Sequence, residues 1–382
     1  MQKKIYLTGA LLVALSSGAS ANSPYISKVF EYSPAPGQYV NELPEYAEGD
    51  DAATMARKAG EQLIGAATPG MITLGAYGGY VIFGFDHPVV NLHGRYDFQV
   101  YGNALPGSNT SAEPGVVSVS VDANGNGLPD DEWYQLAGSD YSLPSTMHQS
   151  SIVYCRPSAD HVAVPDPADK SIVDAEYIAY TAIPYLDAIP ESGFLHKVSF
   201  HSQSYWPEWM GSTIHFEGER LASNAEDVSG NGKRWETHPL NWGYADNLPN
   251  AEYRGFSIDW AVDAEGRGVN LQQIDFVRVH TGILQNLGWL GEESTEVSGA
   301  EDLHPDAVYS PSWPSDPIDP AAEYGSPTGI AMTEASAQAT SDIYDLQGHC
   351  ILHNADYQQI LDLPRGIYIQ LTQGKAKKIL KK

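Results

Sequence analysis

The 382-residue chain is short of cysteine, of basic residues and of long apolar runs. Cys155 and Cys350 are its only two cysteines. That is too few for a disulfide scaffold or a cysteine-based zinc module, and their wide separation predicts two free thiols. Lys and Arg number 21 against 48 Asp and Glu, for a formal net charge of −27. Such a balance excludes nucleic-acid binders that neutralise phosphates with clustered bases. It fits a well-solvated surface, cation binding, or both. Beyond the N-terminal segment no apolar run is long enough to span a bilayer. The chain also lacks a Gly-x-Ser-x-Gly elbow, a His-Glu-x-x-His zinc helix and a phosphate loop. His196 and His201 stand five apart about a strand, hence on opposite faces, where they do not easily share a metal. Acid pairs such as Glu292-Glu293 and Glu301-Asp302 have the residue types of glycosidase carboxylates. In so acidic a chain they are expected to lie on a solvated face. An enzyme is therefore not expected.

What is present begins with an export signal. Lys3 and Lys4 precede an apolar run from Ile5 to Leu15, and Ala19-Ser20-Ala21 offers a cleavage site before Asn22. No cysteine follows the run, so a lipid anchor is not expected. The mature chain is expected in the periplasm, on the cell surface or outside the cell. Its hydrophobic fraction of 42% is ample for a packed core, and the length suggests more than one domain. The divisions expected are a signal peptide at 1–21, a main ligand-binding domain at 22–312, a Pro/Ser/Asp-rich linker at 313–333 and a basic C-terminal module at 334–382.

Within the body one helix is predicted, capped by Asp50 or Asp51 and running to about Ala66, with Met55, Ala59, Leu63 and Ile64 on one face. The rest reads as short strands between Gly/Pro turns. Tyr80–Phe85, Tyr96–Tyr101, Ile152–Cys155, Val198–Phe200, Phe256–Trp260 and Ile274–Val279 are examples. Val117, Val119 and Val121 alternate with Ser118 and Ser120, as in a strand with one wet face. This pattern predicts a mainly β fold, a β-sandwich or jelly roll with one or few helices, and a small C-terminal β module.

The segment Asp122-Ala-Asn124-Gly-Asn126-Gly127-Leu128-Pro-Asp130-Asp131-Glu132 carries oxygen side chains at positions one, three and five and glycine at six, the spacing of a calcium loop. Side chains of Asp122, Asn124 and Asn126, the Leu128 carbonyl, and Asp130, Asp131 or Glu132 are the candidate ligands for Ca2+. A strand precedes it and Trp133 stands at position twelve, so it is not an EF-hand. A plain Asn-Gly turn, bonded to its own backbone, is the alternative. A weaker copy, Asp227-Val-Ser229-Gly-Asn231-Gly232 with Glu236 nearby, is expected to be only a turn.

Six of the eight tryptophans lie between residues 206 and 289. Trp260 is expected in the core. Tyr205, Trp206, Trp209, Trp235, Trp242 and Tyr244 sit in Gly/Pro/Asn-rich loops and form the candidate ligand-binding set. Indoles beside amides and carboxylates suit a flat or ring-shaped ligand with polar edges, a sugar or a corrin. Packing of the loops onto the sandwich is the alternative for each.

Two resemblances add to this. Ile343-Tyr-Asp-Leu-Gln-Gly348, Leu363-Pro-Arg-Gly-Ile-Tyr-Ile369 and the basic Lys375–Lys382 end resemble the C-terminal sorting domain of the type IX secretion system, which implies outer-membrane translocation and surface attachment. Lys28–Val40, Ile72–Phe83, Asp97–Asn103, the Asp122 loop with Trp133-Tyr134, and Gly288–Gly299 are similar to a family of bacterial cell surface proteins, over about residues 24–305. The genes of that family often accompany outer-membrane transport systems for vitamin B12. The resemblance implies a non-catalytic capture protein for a small-molecule nutrient, with a cobamide as ligand and an outer-membrane transporter as partner. A carbohydrate-binding module is the alternative, and a glycoside hydrolase stands behind it. Asp97 and Asn103 resemble positions in jelly-roll modules of secreted proteins that serve a metal or the fold.

Overall fold

A computed structural model describes residues 21–105, 111–186, 188–252 and 255–310, together with tail strands at 341–344, 350–355, 366–372 and 375–381. Residues 1–20 of the signal peptide expected at 1–21, and the linker expected at 313–333, lie outside the described residues. The chain divides into a unit through Glu323 and a second from Tyr324. The fold is mainly β, built from antiparallel sheets in the manner of a β-sandwich. These strand orders do not by themselves define a jelly roll. Among the described residues no helix is long and apolar enough to cross a membrane.

The main sheet of the first unit has six strands. In spatial order they are Lys28–Ser33, Tyr80–Gly84, Phe276–Thr281, Gly115–Ser120, Trp133–Leu136 and Ala261–Val262. Their register aligns two apolar rows across the sheet. Phe83, Val277 and Val119 form one row, and Val81, Val279 and Val117 the other. All six side chains are buried in a single core with Met55, Ala59 and Leu63 of the helix. That helix spans Ala52–Leu63, and Asp51 caps it by accepting a hydrogen bond from the Thr54 amide at 2.8 Å. Aliphatic cross-strand pairs of this kind are the unit of sheet stability.

The opposite face carries the row Ile82, Arg278, Ser118 and Gln135. It was expected to be wet, yet Ser118 and Ser120 are buried. The strand runs through the sheet interior, and a second layer covers this side. Arg278 lies 5.2 Å from the Trp133 ring, and Ser120 donates to the Glu132 carbonyl. The second layer is a four-stranded sheet in the order Glu191–Val198, Ile172–Ile183, Met147–Cys155 and Thr213–Arg220. Phe216 meets Tyr80 edge-on, the Tyr154 hydroxyl donates to the Tyr77 carbonyl, and the Tyr77 hydroxyl donates to the Gly218 carbonyl. These phenols satisfy buried backbone acceptors between the layers.

Three strand expectations need correction. Of Val198–Phe200 only Val198 is in a strand, as the end of Glu191–Val198, and Ser199 and Phe200 lie in the turn after it. Phe256–Trp260 is not a strand: Ile258–Trp260 is a 3₁₀ turn capped by Ser257, whose hydroxyl accepts from the Asp259 amide. The buried Asp97 carboxylate fixes its start by accepting from the Ile258 amide at 2.7 Å and the Leu92 amide at 2.8 Å. Both Ile258 and Trp260 remain core residues. The Ile274–Val279 run is broken at Asp275, between Gln273–Ile274 and Phe276–Thr281. There the side chain accepts from the Asp122 amide.

The second unit forms its own four-stranded antiparallel sheet, in the order Cys350–Ala355, Ser341–Tyr344, Gly366–Thr372 and Lys375–Lys381. Cys155, in the first unit, is a free and exposed thiol.

The turn between Ile72–Thr73 and Tyr80–Gly84 depends on Gly75. Its φ is +70°, and a Cβ there would lie 2.0 Å from the Ala35 carbonyl oxygen. Gly75→Ala is therefore expected to destabilise the first unit by roughly 2–4 kcal/mol, through backbone strain and steric overlap. Chemical denaturation of variant and wild type measures it; equal midpoints would show that the turn relaxes freely.

Candidate functional site

A cleft of about 900 Å³ opens in the first unit. Five chain segments supply most of its lining: the turn bearing Gln38 and Tyr39, the stretch bearing Ser111 and Glu113, the pair Phe200-His201, the strand Trp235–Thr237, and the run from Leu287 to Glu296; Leu43, Met71, Asn103 and Arg234 complete it. Its walls are aromatic and apolar, with Tyr39, Phe200, Trp235, Trp289, Leu287 and Leu290. Its polar lining includes Glu113, Glu292 and Glu296.

Backbone pairing brings these acids together. Gly115 pairs with Ala245, and the Glu113 amide donates to the Asp246 carbonyl at 2.9 Å. The third segment docks through Glu296, whose strand pairs with Ile72–Thr73, while the Thr295 hydroxyl donates to the Glu113 carbonyl. One carboxylate oxygen each from Glu113, Asp246 and Glu296 then lies within 4.8 Å of the others. Asp246 has a left-handed backbone, φ 50°, which Asp tolerates better than most residues. Its Oδ1 accepts from the amides of Asn103 and Ala104 at 2.6 and 2.9 Å, and its Oδ2 from the Glu296 amide at 2.9 Å. Gly102 permits this approach, because a Cβ there would sit 2.2 Å from Asp246 Oδ1. Glu296 Oε1 accepts from the hydroxyls of Thr73 and Ser294 at 2.9 and 3.1 Å.

Burial dominates the electrostatics. It pushes the Glu113 and Asp246 carboxyls well above the usual range, and the nearby Glu296 charge adds to this in both. Burial also lifts Glu296 to about 7 against the opposing pull of the Thr73 and Ser294 hydrogen bonds. Glu292 is lifted to about 7 for the same reason, although the Gln38 amide donates to its Oε1 at 2.7 Å. Glu293 is raised by burial alone. The expectation of a solvated Glu292-Glu293 face is thus overturned: they are 5% and 1% exposed. Of the other pair, Asp302 is also buried, and it bonds His87.

The tryptophan set is divided. Trp235 lines the cleft, and its ring nitrogen donates to the Gly232 carbonyl. Tyr205, Trp206 and Tyr244 are 0–1% exposed and belong to the core, a correction to their assignment as ligand-facing. Their polar tips are spent internally: Tyr205 on the Val198 amide, Trp206 on the Gly211 carbonyl and Tyr244 on the Asp140 amide. Trp209 stacks at 6.0 Å from both Tyr32 and Tyr46, and Trp242 packs 4.9 Å from Trp260. Neither lines the cleft. Tyr39, Glu113, Asp246 and Glu296 were missed because each stands alone in sequence. Trp289 was counted among the clustered indoles but not assigned. Its ring nitrogen donates to the Lys233 carbonyl, which places it beside the Trp235 segment.

The Asp122 loop is exposed and partly convergent. Asp122 accepts from the Asn126 and Gly127 amides at 3.0 and 2.9 Å, and Asn124 and Asn126 both donate side-chain NH2 groups to Asp130. Asn126 Oδ1 accepts from the Leu128 amide, and the Leu128 side chain points to solvent. Glu132 turns away to accept from the Tyr134 hydroxyl at 2.8 Å. One Asp131 oxygen is buried apart from the loop's hydrogen bonds. In the weaker copy, Asp227 accepts from Ser229 and from the Gly232 amide, as a turn does.

The folded chain keeps protons on Glu292 and Glu296 up to a pH of about 7, whereas the unfolded chain releases them near 4.5. Stability from this source is present at low pH and is lost as pH rises through 4.5 to 7. Glu292→Gln removes one such group. In chelator, the stability of the variant relative to wild type is expected to rise across that window by up to roughly 3 kcal/mol. Urea melts at several pH values measure it, and a pH-independent difference would contradict the assignment.

Neither models of known protein families nor curated proteins match the chain.

Proposed function

We propose that the protein is an exported, non-catalytic capture protein whose ligand occupies the 900 Å³ cleft. The observation that carries this is the lining, with aromatic faces on the walls and carboxylates below them. Aromatic faces stack on flat apolar rings, and carboxylates accept from hydroxyl or amide donors. A cobamide, a flat macrocycle fringed with amides, has both features. The resemblance of residues 24–305 to a family associated with vitamin B12 uptake favours it, with hand-over to an outer-membrane transporter as the next step. A glycan is the second candidate, favoured by the density of hydroxyl acceptors at Glu113, Glu292 and Glu296. The tail's resemblance to a sorting domain supports display at the cell surface.

Calcium at the Asp122 loop belongs to the same proposal. Asp122, Asn124, Asn126 and Asp130 are oxygen-bearing side chains already joined to one another, and these would hold the ion. Its part would be to brace the hairpin between the valine strand and Trp133–Leu136.

Titration of tryptophan fluorescence with cyanocobalamin and with a panel of oligosaccharides tests the ligand. One class is expected to perturb the emission, and Trp235→Ala or Trp289→Ala to weaken binding at least ~10-fold, about 1.4 kcal/mol. Trp242→Phe should leave the affinity unchanged. No response to either class would sink the capture proposal for both. For the loop, calcium is expected to raise the melting temperature of chelated protein and Asp122→Ala to remove the loop's share of that rise; an identical rise in the variant would leave the loop a plain turn.

A further inference from the structure

The acids beneath the cleft do more than line it. Asp246 is oriented by three backbone amides, and Glu296 by two hydroxyls. Fixed in this way, Glu113, Asp246 and Glu296 bring one oxygen each within a common 4.8 Å. Two oxygens bound to one calcium at ~2.3–2.6 Å are at most about twice that distance apart, so the spacing suits a shared ion. A second observation points into the same place. Glu292, which lines the cleft beside Glu296, is 5% exposed and its Oε2 has no hydrogen-bond partner. Glu293, whose charge bears on Glu113, is 1% exposed and neither of its oxygens has a partner. Buried carboxylates without donors are costly unless a cation or protons compensate them. Arg234, the arginine in the lining, pairs with Glu236 at 2.6 Å.

We propose that Glu113, Asp246 and Glu296, flanked by Glu292, form a divalent cation site at the floor of the cleft. The donors are all oxygens, from carboxylates with the Thr73 and Ser294 hydroxyls and Asn103 alongside. Imidazole and thiolate are absent from the three-residue cluster. Hard oxygen sets of this kind select calcium over zinc or copper. The site is separate from the Asp122 loop. It deepens the capture reading in one respect, which rests on that reading: an ion here faces the cleft and offers a ligand's hydroxyl or amide oxygens a place in its coordination sphere.

The test uses full-length protein stripped with EDTA, with calcium alone as the probe. Equilibrium dialysis near neutral pH is expected to find one bound calcium in Asp122→Ala and none in Asp122→Ala/Glu296→Gln. Terbium substituted for calcium in Asp122→Ala should give sensitised emission that falls when Trp235 and Trp289 are replaced by Phe, because these are the indoles lining the cleft. Glu296→Gln removes one of several crowded like charges, so its melting temperature in EDTA should not fall below wild type. If it does fall, Asp122→Ala/Glu292→Gln takes its place, with at least tenfold weaker calcium binding expected. Zero calcium in Asp122→Ala, or binding unchanged by both glutamate variants, would overturn the site and assign the acids to shared protons. That result is independent of the ligand titration, run both with calcium and in EDTA: captured ligand with no calcium bound by Asp122→Ala retires the ion alone, and bound calcium with no ligand response in either condition retires the capture reading alone.

Discussion

The cost of removing carboxylates from water governs this molecule. Five acidic side chains, Glu113, Asp246, Glu292, Glu293 and Glu296, are gathered at and behind one cleft, Glu113 half-buried and the other four buried. Such groups persist only where something compensates them. Backbone amides do this for Asp246, and hydroxyls do it in part for Glu296. On the proposed reading, the remaining demand would favour cations, and neutral molecules rich in donors, over anions. The aromatic walls add a second condition, since they favour partners with an extended apolar face.

The scaffold that imposes this burial is a pair of layers locked by unlike means. On one side of the six-stranded sheet, aligned Val and Phe side chains and the Met55 face of the helix form a dry core. On the other, behind the row of Arg278, Ser118 and Gln135, a second sheet is joined through phenol-to-carbonyl hydrogen bonds of Tyr77 and Tyr154. A slip of one residue in any central strand would exchange these two faces, placing Arg278 in the apolar layer. The segments that carry Glu113, Asp246 and Glu296 adjoin this pinned framework, and so inherit its precision.

Much of the fold was legible because it is local. The helix and its Asp51 cap, the strand at Tyr80 and the alternating valines all follow from short-range pattern. The failures trace to information the pattern does not hold. Ser118 and Ser120 look solvated until a distant sheet covers them. Phe256–Trp260 alternates like a strand, yet Ser257 and Asp97 capture its amides and wind it into a turn. The site was harder still. Trp206 and Tyr205 stand in a loop-like, Gly- and Pro-flanked segment but pack inward, because their polar atoms find partners within a few residues. Glu292 and Glu293 belong to the most abundant charge class in the chain, and only long-range pairing shows that they are buried.

The three clustered acids come from positions 113, 246 and 296, and no two of them share a contiguous stretch of chain. Their convergence is a property of the completed first unit and of no fragment of it. Whatever is gripped by all three at once therefore ties strands from both ends of that unit to one point. Occupancy would thus act as a clasp on the whole body, slowing its opening and its exposure to proteases, where a ligand held by one hairpin would protect that hairpin alone.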